Sequence, residues 1–100
     1  MEYIKLTDNE YKDNDDMPYE WYFEINTQNE RLSERMIEVF SSGRINRITK
    51  EEYYNTVIEL VPVPTVEEFN NGIWGDLQCA SVISEAQFEE IWHYSVEKEN

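Results

Sequence analysis

The stretch YEWYFEIN, residues 19–26, decides the fold that this sequence predicts. Large apolar or aromatic side chains occupy its odd-numbered positions, and mostly polar side chains alternate with them. A period of two is typical of a β-strand that turns one face to the core and the other to water. We therefore expect a half-buried strand here, and we expect Pro18 to close an acidic, solvated loop over residues 8–16.

The segments on both sides of this stretch predict further strands. Residues 3–6 form a short candidate first strand, and two β-rich segments, residues 36–40 and 44–49, flank Ser41-Ser42-Gly43. Because glycine readily adopts a positive φ, Gly43 favours a hairpin turn between them. Another strand is expected over residues 53–61, ended by prolines that cannot donate to a central ladder.

Two helix starts carry the pattern of a capping box. Thr65 is followed three residues later by Glu68, and Ser84 is followed by Gln87. After Ser84, apolar residues recur at helical spacing, which predicts a C-terminal helix with one buried face. Strands followed by helices favour the α+β class: an antiparallel β-sheet of four or five strands with a short helix and a C-terminal helix packed on one face.

Length and composition predict a single acidic domain over residues 1–100. Fourteen aromatic residues in 100 argue against disorder despite the high charge. One cysteine excludes an intramolecular disulfide, and no signal peptide or membrane-length apolar run is visible. We therefore expect a cytoplasmic protein that does not enter a membrane.

The charge is distributed unevenly along the chain. Acidic residues outnumber basic ones by 22 to 8, yet five of the eight basic residues lie within residues 31–50. The sequence thus predicts a basic hairpin and an acidic remainder. A surface so acidic repels phosphate and anionic lipid and attracts basic proteins, so we expect a protein partner and no direct binding of nucleic acid.

No pattern in the sequence predicts catalysis, a cofactor or a metal site. His93 and Cys79 are single residues of their kinds, and both are read as ordinary structural positions. Counting an EF-hand loop from Asp13 places Pro18 where the calcium loop requires glycine. We expect no enzymatic activity, no cofactor and no bound metal.

The candidate partner-binding residues are the acids of the loop before Pro18 and the acidic and tyrosine residues that lie next to one another elsewhere, since carboxylates pair with Arg and Lys while exposed rings anchor an interface. They are Asp8, Glu10, Tyr11, Asp13, Asp15, Asp16, Glu20, Tyr22, Glu24, Glu51, Glu52 and Tyr53. The alternative interpretation is that the rings face the core and the acids merely keep the domain soluble.

Three segments carry a family resemblance: RMIEVF at residues 35–40 with Gly43-Arg44, VPTVEEFN at residues 63–70, and ISEAQFEEIW at residues 83–92. In this order and spacing the chain resembles a family of small bacterial proteins associated with immunity genes of polymorphic toxin systems, such as contact-dependent growth inhibition. The resemblance implies an immunity protein that binds and neutralises a cognate toxin. The chain departs from the family pattern in its long acidic insertion before Pro18.

The charge suggests what such a toxin is, because nucleases have basic clefts that hold phosphates. We therefore expect steric and electrostatic blocking of a basic nuclease domain. Two alternatives stay open: an acidic nucleic-acid mimic that inhibits another nuclease, as phages use, and a small enzyme.

Overall fold

Five strands and two α-helices make up the described part of the chain, which in this computed structural model comprises residues 1–11, 16–49 and 62–99. Side chains are not described for Tyr11 and residues 94–99. The strands are β1 (Glu2–Asp8), β2 (Glu20–Asn26), β3 (Leu32–Val39), β4 (Ile45–Thr49) and β5 (Gln78–Val82). The helices are α1 (Val66–Asn70) and α2 (Glu85–Glu99), and one 3-10 turn spans Asn9–Tyr11. The predicted α+β class is confirmed, while the strand predicted at residues 53–61 lies outside the described residues.

The strands form one antiparallel sheet in the order β4-β3-β2-β1-β5. The predicted hairpin is present: β3 and β4 pair in register, and Gly43 between them has a φ of +91°. β5 lies between the two helices in sequence and pairs with β1 at the sheet edge. The sequence indicated β5 only weakly, because Ala80 alone among its residues is buried.

The central strand β2 is buried on both faces of the sheet. Trp21, Phe23 and Ile25 point into one apolar cluster, while Tyr22 points into another on the opposite face. The first cluster contains Ile4, Leu6, Trp21, Phe23, Ile25, Met36, Ile48, Val63, Phe69 and Ala80. It belongs to the α1 face, because Phe69 is the buried residue of α1.

The second cluster lies under α2. Its buried members are Tyr3, Tyr22, Ile37 and Phe88, and the half-buried Ile91 and Trp92 pack against it. This is the α2 face, so the C-terminal helix covers one face of the sheet as predicted. The short helix lies on the other face.

Both predicted capping boxes are present. Thr65 Oγ1 accepts from the Glu68 amide at 3.1 Å, and the Thr65 amide donates to Glu68 Oε1 at 2.9 Å. The same reciprocal pair joins Ser84 and Gln87, at 3.1 and 2.8 Å. Each box satisfies backbone donors that a helix start leaves without partners, so both helices begin where the sequence places them. No helix among the described residues is long and apolar enough to cross a membrane.

Candidate functional site

Three of the twelve predicted partner-binding residues are buried in the fold. Asp8, Tyr22 and Glu24 are only 4, 8 and 7% exposed. Asp8 ends β1 and accepts from the Glu10 amide at 3.0 Å and from Gln78 Nε2 at 3.1 Å. Because β2 is covered on both faces and Asp8 is enclosed at the start of the loop, little of these three side chains lies at the surface, and their role as partner contacts stays a prediction.

The other predicted residues divide into two groups. Glu10 and Asp16 are exposed, whereas Glu20 is half-buried, accepts a hydrogen bond from the Tyr22 hydroxyl and lies 3.7 Å from Lys5 Nζ. The remaining six fall outside the described residues or, for one, have no described side chain: Tyr11, Asp13, Asp15, Glu51, Glu52 and Tyr53. Among the six residues with described side chains, three are buried and three are at least partly exposed, so these six do not form one exposed site.

A polar cluster centred on Arg35 joins the sheet to α2. Tyr3, Glu24 and Arg35 are directly opposite one another on β1, β2 and β3. Arg35 donates from Nε and Nη2 to the two oxygens of Glu24, at 2.8 and 2.7 Å, a bidentate geometry. It also donates to Glu89 of α2. The sequence did not reveal this cluster, because the register of β2 and β3 depends on a bulge after Glu24.

Aromatic rings of α2 enclose the same guanidinium. The Arg35 carbon Cζ lies 5.0 Å from the centre of the Phe88 ring and 4.8 Å from that of Trp92. A cation over an aromatic face is attracted to it, and this attraction is strengthened by partial burial. Arg35 therefore fixes α2 on the sheet through ion pairs and ring contacts together.

The charges of this cluster are stabilised by their neighbours. Hydrogen bonds from Arg35 hold the pKa of Glu24 and of Glu89 below the usual carboxyl range. Burial raises the pKa of the Tyr3 hydroxyl well above its ordinary value, and its hydrogen bonds to Glu24 and Glu85, both 3.0 Å, add to the effect. A general base or a nucleophile needs a pKa shifted towards neutrality, which is the opposite direction for all three groups.

The two other candidate reactive side chains lie on the surface. His93 is exposed, and its Nε2 lies 3.4 Å from Glu89 Oε2. Cys79 is a free, exposed cysteine on β5. Within residues 1–11, 16–49 and 62–99, no group of three or more His, Cys, Asp or Glu side chains is placed to hold a metal ion.

Two basic residues of the stretch 31–50 contact acids in other parts of the fold. Arg31 donates from Nη2 to Glu2 at 2.7 Å and from Nε to the carbonyl of Val63 at 2.8 Å. Arg35 is engaged by Glu24 and Glu89, as described above. Two of the five basic residues thus pair with Glu2, Glu24 and Glu89, and these ion pairs join segments that are distant in the sequence.

The most exposed apolar side chains of the described loops lie between α1 and β5. Ile73, Trp74 and Leu77 are 55, 36 and 54% exposed, and we call these three residues the loop patch. The Trp74 ring also meets the buried Phe69 edge-on, with ring centres 5.1 Å apart. Sequence reasoning missed this patch, although three large apolar residues beside two glycines form a visible signal.

Comparison with known proteins places the chain in a family. Residues 2–97 match a family described as a domain of unknown function (DUF6881). The chain belongs to this family. No curated protein and no solved structure matches it.

Proposed function

We propose that this DUF6881 chain is an immunity protein, a cytoplasmic inhibitor that binds a bacterial toxin with a basic nuclease domain and blocks it without catalysing a reaction. The family resemblance of the three sequence segments suggests the class of protein. The physical support comes from the charge and from the way in which the fold uses its few basic residues.

The observation that carries the proposal is the excess of acidic residues. Residues 51–97 contain ten acidic residues and no Lys or Arg. Arg31 and Arg35 pair with three other acids, Glu2, Glu24 and Glu89. A nuclease cleft is basic because it must hold phosphates, so an acidic domain is attracted to it and excludes its substrate.

The Arg35 cluster supports a non-enzymatic mode of action. It contains several titratable groups, and such a cluster is a reason to consider an active site. Here each carboxylate of Glu24 and Glu89 is held in its charged form by Arg35, while Tyr3 keeps its proton. This arrangement suits the attachment of α2 to the sheet, a structural role.

The stoichiometry of toxin binding and inhibition tests the proposal. The chain is purified together with the product of the neighbouring gene, and nuclease activity on plasmid DNA and on RNA is measured at increasing ratios of chain to toxin. We expect a stable one-to-one complex and inhibition that is complete at about one equivalent. Binding should weaken as salt rises from about 50 to about 500 mM, since salt screens the attraction between opposite charges. Absence of a complex at low salt would overturn the proposal.

The acidic-mimic alternative makes a different prediction in the same assay. A mimic aimed at another target would leave the neighbouring gene product active and uncomplexed, yet would inhibit an unrelated nuclease with the same salt dependence. Inhibition at far less than one equivalent would instead favour the small enzyme, because a catalyst acts on many toxin molecules in turn.

A further inference from the structure

The loop patch has the composition of the centre of a protein interface. Surface apolar residues are usually scattered, and a group of them rimmed by polar residues marks an interaction site. Ile73, Trp74 and Leu77 fall within five residues of one loop, and each is at least one third exposed. Trp is also the residue type most enriched among those that dominate binding energy.

Acidic residues border the patch on two sides. The amide of Asn9 donates to the carbonyl of Leu77 at 3.2 Å, which places the exposed Glu10 beside one end of the loop. At the other end, Asp76 folds back on Gly72, whose φ is +84°. A Cβ at Gly72 would lie 3.0 Å from Asp76 Oδ1, so the glycine allows the carboxylate this position.

We propose that the loop patch, with Glu10 and Asp76 at its rim, is the surface on which a basic protein domain docks. The inference deepens the proposed function and rests on it, since it names the part of the chain that the toxin contacts. Apolar side chains at the centre and acidic ones at the rim complement a basic surface that carries an apolar anchor. A second copy of this chain is a poorer occupant, because its net charge of −14 opposes association.

The outer edge of β5, next to the loop patch, is a poor alternative docking site. The side-chain amide of Asn70 takes the place of a neighbouring strand at Ala80: its Oδ1 accepts from the Ala80 amide at 2.7 Å, and its Nδ2 donates to the Ala80 carbonyl at 3.1 Å. Strand addition to β5 is therefore obstructed at its middle residue. A partner that docks at this end of the molecule therefore contacts the side chains of the loop patch.

The test measures binding of purified variants to the purified product of the neighbouring gene, by titration calorimetry. Ile73→Ser with Leu77→Ser removes the apolar centre, and Glu10→Lys with Asp76→Lys reverses the rim charge. We expect each double variant to raise Kd at least about tenfold, as truncations at the centre of an interface do.

Two variants serve as matched controls. Glu90→Lys makes the same kind of charge reversal at an exposed position of α2, and Val82→Ser removes an apolar side chain from β5 that is 66% exposed. Both should leave Kd within about twofold of wild type. Trp74→Ala provides a second apolar variant, and thermal unfolding of every variant verifies that it is folded.

The possible outcomes distinguish failure of the docking surface from failure of the proposed function. If the wild type binds and the loop variants bind equally well, the docking surface is wrong while the immunity function stands. If Glu90→Lys weakens binding as much as the rim variant does, only overall charge matters, and the loop assignment also fails. If the wild type does not bind, both proposals fail together.

Discussion

Replacing Arg35 with Met should destabilise the protein strongly, because it leaves a buried carboxylate without its cation. Glu24 is almost fully buried and receives two hydrogen bonds from Arg35, at 2.8 and 2.7 Å. Methionine keeps the unbranched apolar stem of the side chain but lacks the guanidinium, whose Cζ lies over the Phe88 and Trp92 rings. The change therefore removes the charge together with its hydrogen bonds and its ring contacts.

The expected loss follows from the burial of the pair. Removing one partner of a fully buried ion pair costs about 3–5 kcal/mol of unfolding free energy. The Arg35 side chain is 22% exposed, so we take the lower end, about 3 kcal/mol. In a domain of this size, about 3 kcal/mol corresponds to a fall in Tm of about 12 °C.

Urea unfolding, followed by tryptophan fluorescence and by circular dichroism, measures this change. The control is Lys5→Met, which removes the same charge from the same sheet face but breaks weaker contacts: Lys5 Nζ lies 3.7 Å from Glu20 and 5.9 Å from the centre of the Tyr22 ring. An exposed pair of this kind contributes about 1 kcal/mol or less. The double variant Arg35→Met/Glu24→Met should recover part of the lost stability, because no unpaired charge remains.

Two results would refute this reasoning. One is a loss below about 1 kcal/mol for Arg35→Met, which would mean that Glu24 is solvated in the folded protein. The other is a double variant less stable than Arg35→Met alone by the full cost of a second truncation. That result would mean that the two side chains act independently of each other.

Three further predictions concern pH, the sheet edge and the core. The pKa of Glu24 is lowered in the folded state, so its stabilising contribution is present above about pH 4.5 and is lost on acidification. The stability difference between wild type and Arg35→Met should therefore shrink towards about pH 3 in urea titrations, and a constant difference would contradict the ion pair. Asn70→Ala exposes the backbone of Ala80, so we expect a loss of about 1.5 kcal/mol and a dimer fraction in analytical ultracentrifugation. A monomer of unchanged stability would show that the amide does not protect the edge. Phe69→Ala should cost about 4 kcal/mol in the same urea assay, and a loss under 1 kcal/mol would contradict its place in the core.

Local signals in the sequence were sufficient for most of the element positions. The alternation in residues 19–26 predicted β2, Gly43 predicted the hairpin turn, and Thr65 and Ser84 predicted both helix starts. Each signal depends on neighbours within a few residues, so it can be read without knowing the rest of the fold. β5 lacked such a signal, because an edge strand with one buried residue shows no alternation.

The candidate site was harder to predict because it depends on contacts between distant segments. The alternation of apolar and polar residues along β2 implied that one face of the strand is exposed to solvent. However, α2 covers that face and buries Tyr22 and Glu24. The partner of Glu24 was hidden for a similar reason. The turn between β2 and β3 places Glu30 and Arg31 at positive φ without any glycine, so no local signal indicated the register that brings Arg35 opposite Glu24.

The burial of β2 on both faces also bears on how this protein can diverge. A substitution in that strand must suit two packed layers at once, so most changes there cost stability. The exposed side chains of the loop patch do not have to fit two packed layers. Only Trp74 is constrained by packing, through its contact with Phe69. A few substitutions in the proposed docking surface can therefore match a changing partner while the sheet beneath it stays the same.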